Sequence, residues 1–90
     1  MKSAYEIAMS RLDAQAPTPK LTAAKKAELA EIDNLFASRI AERRVFLEGE
    51  IRKAAGDPVA DHELRRQLAG EVARLEEERE TRKEKARQSV

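Results

Sequence analysis

From Leu29 to Ala54 the large apolar residues recur as Leu29, Ile32, Phe36, Ile40, Leu47 and Ile51, with Arg43 and Ala54 on the same line. The steps between them are 3, 4, 4, 3, 4, 4 and 3, a rhythm that only an α-helix gathers on one face. Each round of 3-4-4 makes an 11-residue period, visible in Leu29, Ile40 and Ile51 and again in Phe36 and Leu47. That period is close to the natural pitch of the helix, so it predicts nearly straight or slightly right-handed packing, where a strict heptad would wind to the left. A second series follows, in which Leu64, Leu68, Val72 and Leu75 are spaced 4, 4 and 3.

Stop and start signals divide the chain around these two seams. Ser3 followed by Glu6 is the pattern in which two side chains satisfy each other's free backbone amides, and it predicts a first helix over about residues 4–14. Pro17, Thr18 and Pro19 then break the helix, because proline lacks the amide and pushes its predecessor toward extended backbone. Thr22 is a suitable cap for a second helix over about 23–55, and Gly56 suits its C-terminal end. Asp57 and Pro58 form an N-cap and a first-turn proline, which start a third helix over about 58–87 with almost no loop. So short a connection favours antiparallel neighbours.

If the chain reverses near Asp57, facing residues have numbers that sum to about 114. Ile51 then faces Leu64, Leu47 faces Leu68, Ile40 lies near Leu75, and Arg43 meets Glu71. Past Leu75 the apolar series stops, and Glu76 to Arg87 is dominated by charge. Pairs such as Glu78 with Arg82 support helix there, but the segment offers no large apolar face, so its end is expected to fray. By the same register it lies beside Leu29, Ile32 and Phe36, which it is expected to cover poorly. The first helix is the natural cover for these residues. Its own apolar face carries Tyr5, Ala8, Met9, Leu12 and Ala16, and a helix so short needs a surface to dock on. Docking in the same chain or on a second copy is left open by the pattern.

Composition fits long helices. Charged residues make up 39% of the 90 residues and aromatic ones 3%, with three glycines and three prolines to interrupt the chain. A length of 90 residues allows one domain. Eighteen basic and seventeen acidic side chains give a net charge of +1, so no global field steers the chain to nucleic acid or an anionic membrane. No stretch approaches a membrane span or the apolar core of a signal peptide, and the expectation is a soluble cytoplasmic protein that does not engage a membrane. The first helix has a polar face of mixed charge without Trp or Phe, which argues against an interfacial membrane anchor. There is no cysteine, so disulfides and thiolate metal sites are excluded.

No catalytic constellation emerges. His62 stands between Asp61 and Glu63, but adjacent helical residues point in different directions and do not converge on a metal. Ser3 reads as a cap, the other serines have no nearby base, and the isolated glycines form no phosphate loop. The expectation is a non-enzymatic protein without cofactor, metal or small-molecule substrate.

What remains is surface. Leu35, Val45 and Phe46 lie off the main seam, and Leu35 and Phe46 are again 11 residues apart. They define a second apolar strip, and a small hairpin with apolar surface left over is expected to self-associate, as a dimer, or to bind a helical partner. The candidate protein interface is therefore Leu35, Val45 and Phe46, together with Tyr5, Met9 and Leu12 of the first helix. The alternative is a small nucleic-acid-associated protein using Arg39, Arg43 and Arg44 with Arg82, Lys83 and Lys85. Interspersed acids, Glu42, Glu48, Glu50 and the run Glu76 to Glu80, weigh against it, as does the expected lack of an exposed aromatic in a basic context.

Ala54, Ala55, Gly56 and Asp57 at the turn, followed by Leu64, Leu68, Val72, Leu75 and Glu76, carry a resemblance over Leu29 to Glu78. This segment resembles helical-hairpin segments that recur in many uncharacterised bacterial proteins, from which it departs in having Pro58 directly after Gly56 and Asp57. The resemblance implies an all-α hairpin and no activity or site. The residues themselves predict an all-α, coiled-coil-like long antiparallel hairpin with the short N-terminal helix packed on its open end.

Overall fold

Two helices of equal length carry the structure. The computed structural model describes residues 3–7 and 21–89. Helix α1 spans Ala23–Lys53 and helix α2 spans Pro58–Gln88, 31 residues each. At 1.5 Å per residue each is about 46 Å long. They pack against each other as an antiparallel hairpin, the all-α fold that the spacing predicts. Ala4–Ile7 forms a turn of helix near the N-terminus. The Ser3 hydroxyl accepts from the Glu6 amide at 3.2 Å, and the Glu6 carboxylate accepts from the Ser3 amide at 3.3 Å. The rest of the expected first helix, including Met9 and Leu12, lies outside the described residues.

The boundaries follow from local chemistry. Thr22 Oγ1 accepts from the Lys25 amide at 3.0 Å and starts α1. The helix ends at Lys53, two residues earlier than expected, because Ala54 and Ala55 already belong to the turn. Gly56 has φ +96°, a left-handed conformation that costs an L side chain roughly 1–2 kcal/mol and glycine little. Asp57 then caps α2 through Oδ1, which accepts from the Ala60 amide at 3.1 Å, and Pro58 occupies the first turn, where no amide is needed.

The register is the one expected. Arg43 reaches across to Glu71 with two parallel hydrogen bonds, Nε to Oε2 at 3.0 Å and Nη2 to Oε1 at 3.1 Å. Phe36 and Leu47 are fully enclosed, and Leu29 and Val72 are buried. Ile32, Ile40, Ile51, Leu64, Leu68 and Leu75 are half-buried along the same line.

The structure corrects the expectation for the end of α2. That segment stays helical to Gln88 and packs along α1, and its Arg82 lies over the Phe36 ring. The 11-residue rhythm continues past Leu75 with other chemistry: Leu68, Val72 and Leu75 are followed at that spacing by Arg79, Lys83 and Ala86. Ala86 is 6% exposed, and Arg79 and Lys83 are half-buried. Long basic side chains lay their methylene stems over apolar surface while their charged ends find partners, so a seam continues without apolar residues. Lys83 Nζ reaches Asp33 at 3.0 Å, and Arg79 approaches the same carboxylate at 4.0 Å. The Arg82 and Arg39 guanidinium groups each lie 5.2 Å from the centre of the Phe36 ring. Arginines therefore contribute to the cover of Phe36, while Tyr5 in the described N-terminal turn is 74% exposed.

Candidate protein interface

The residues outside the seam decide what the hairpin can do. Phe46 directly precedes the enclosed Leu47, so it sits about 100° around α1 from the buried line. Leu35 precedes the enclosed Phe36 in the same way. Eleven residues make about 1100°, or three turns and some 20°, so Leu35 and Phe46 share one line, about 16 Å apart along the axis. They are 40% and 54% exposed. Val45, 70% exposed, stands about 100° further round, on the outer face of the helix, so the structure separates it from the line that joins the other two. The Arg43 guanidinium lies 5.1 Å from the Phe46 ring centre, between the ring and Glu71, and forms one edge of the strip.

That ion pair is bidentate and joins the two helices. Its hydrogen bonds from Arg43 hold the Glu71 carboxyl below its ordinary value of 4.5, against the partial desolvation that pushes it up. The charge of Arg43, a hydrogen bond from Gln67 and the charge of Arg74 act in the same direction as the Arg43 hydrogen bonds. A bidentate guanidinium–carboxylate pair also fixes geometry, because both partners are planar. It locks the register of α1 on α2 midway along the hairpin.

The chain matches no protein-family model, no curated protein and no solved structure.

The basic residues considered for nucleic acid are dispersed by the fold. Arg43 is committed to Glu71 and Lys83 to Asp33. Arg39 and Arg82 stack on Phe36. Arg44 lines a shallow groove on one side of the hairpin beside Glu48, and Lys85 lines another at the open end beside Glu28 and Glu31. A phosphate-binding stripe needs adjacent cations without carboxylates between them, and these six side chains do not form one. The groove beside Arg44 has Ile51, Leu68 and Val72 along its floor and charges of both signs at its rim. His62 is exposed, and its neighbour Asp61 is held by Arg65 at 2.9 Å. Among the described residues no group of three metal-capable side chains converges, and no helix is long and apolar enough to cross a membrane.

Sequence reasoning placed the apolar seam and the Arg43–Glu71 pair but missed Asp33, Arg79, Lys83 and Ala86 as parts of the same contact. The signal was present in the 11-residue spacing from Leu68, Val72 and Leu75.

Proposed function

We propose that this protein is a non-catalytic helix–helix interaction module that self-associates through the exposed line of α1 centred on Leu35 and Phe46. The observation that carries this reading is the exposure of two large apolar side chains on one line of a helix whose seam to α2 is already filled. Large apolar side chains left open along one line of a helix are available for a protein–protein contact, and a hairpin this small has little core of its own. A guanidinium over an aromatic at the edge of such a strip suits a contact surface, since arginine and aromatic residues are enriched where proteins meet. Val45 lies outside the central line and serves at most its outer edge.

Sedimentation equilibrium across the micromolar range tests the reading. The wild type is expected to associate, and Phe46→Asp, which places a charge on the strip without touching the seam, is expected to remain monomeric with its helix content intact. A wild type that stays strictly monomeric at high micromolar concentration, with Phe46→Asp leaving thermal stability unchanged, refutes it.

A further inference from the structure

We infer that the occupant of this strip is a second copy of the chain, with the two α1 helices antiparallel about a two-fold axis that passes between residues 40 and 41. This rests on the reading above and adds the partner and its geometry. An axis at that point pairs residues whose numbers sum to 81, so Leu35 meets the partner's Phe46 and Phe46 meets the partner's Leu35. Two charge pairs on the same face then match, while Glu31 falls opposite the partner's Glu50. Arg39 falls opposite the partner's Glu42, and further out Glu28 falls opposite the partner's Lys53. All these positions lie within about 60° of Phe46 around the helix.

Among the described residues, neither Arg39 nor Glu42 takes part in an ion pair within the chain. Both charges flank the proposed axis, where Arg39 also stacks on Phe36. A parallel, in-register pair would set Arg39 against the partner's Arg39 and Glu42 against the partner's Glu42, placing like charges together along the whole face. The antiparallel pair removes the conflicts at Arg39 and Glu42.

Gly49 adds an independent observation. It interrupts α1, where glycine is a poor helix former, yet nothing inside the hairpin requires it: a Cβ placed there would lie 3.9 Å from Arg52 Nη2, an ordinary contact. In the antiparallel pair Gly49 falls opposite the partner's Ile32, which is half-buried at the edge of the strip. A missing side chain there gives room for a close approach of the two helices.

The absence of cysteine makes the test direct. Glu28→Cys and Lys53→Cys, both exposed positions, are prepared as separate full-length chains, mixed, and treated with a short bifunctional maleimide. Covalent dimers joining the two different variants are expected, and neither variant is expected to cross-link to itself, because identical positions lie about 37 Å apart across the axis. Cross-linking of like with like, or none at concentrations where the wild type associates, overturns the geometry. Gly49→Ala provides a second readout: helix stability is expected to hold or rise while the dimer dissociation constant increases about tenfold. Unchanged or tighter association overturns the close approach. A monomeric wild type removes both this inference and the function proposed above. A dimer abolished by Phe46→Asp but cross-linked like with like removes only the antiparallel pairing.

Discussion

Replacing Phe36 tests whether the charged half of α2 truly closes the open end of the hairpin. The ring is fully enclosed, with Arg39 and Arg82 each 5.2 Å from its centre. Truncating a buried phenylalanine to alanine costs about 3–5 kcal/mol. Two helices of 31 residues, at roughly 0.05–0.15 kcal/mol per residue, hold about 3–9 kcal/mol in all. Phe36→Ala is therefore expected to remove at least a third of the stability. The variants are best compared in the Phe46→Asp background, so that association does not enter the unfolding equilibrium. Urea unfolding followed by far-ultraviolet circular dichroism reads the loss. A double-mutant cycle combining Phe36→Leu with Arg82→Ala then isolates the contact between guanidinium and ring, expected at about 0.5–1 kcal/mol. A loss below about 1 kcal/mol for Phe36→Ala would refute the packing, because it would mean that the ring is solvated and that Arg79, Arg82 and Lys83 do not hold α2 against α1.

Two further outcomes follow from the register lock and the turn. The Glu71 carboxyl titrates below its ordinary value in the fold, so its contribution to stability is fully present above 4.5 and is lost as the pH falls through the lowered value. Glu71→Gln is therefore expected to be less stable than wild type at neutral pH and to converge with it in acid; denaturation midpoints that differ equally at both ends of the range would contradict this. At the turn, Asp57→Ala removes the cap on the Ala60 amide and is expected to cost about 1 kcal/mol, while Gly56→Ala, at φ +96°, is expected to cost about 1–2 kcal/mol, both read from urea midpoints.

Much of this architecture is legible in the sequence because its signals are local and periodic. Thr22, Gly56, Asp57 and Pro58 each act within a turn of their own position, so the helix ends can be read to within two residues. The pairing of Arg43 with Glu71 follows from the turn and the helix rise alone. The fate of the charged segment could not be read from hydropathy, because the same Arg79, Arg82 and Lys83 that look solvated by residue type contribute their methylene stems and guanidinium faces to the contact. Whether a lysine lies across a neighbour or extends into water depends on what faces it, here Asp33 and Phe36, and that is decided fifty or so positions away. The strip was partly legible: the 11-residue spacing joins Leu35 to Phe46, but grouping Val45 with them ignored the 100° between successive helical residues.

The hairpin begins α1 and ends α2 at the same end, with the bend about 46 Å away. The chain therefore enters α1 and leaves α2 on one side, away from the bend. In the antiparallel pair the two sets of attachment points would lie at opposite extremities. A dimer of that shape would hold whatever each copy carries at a separation set by the length of a helix.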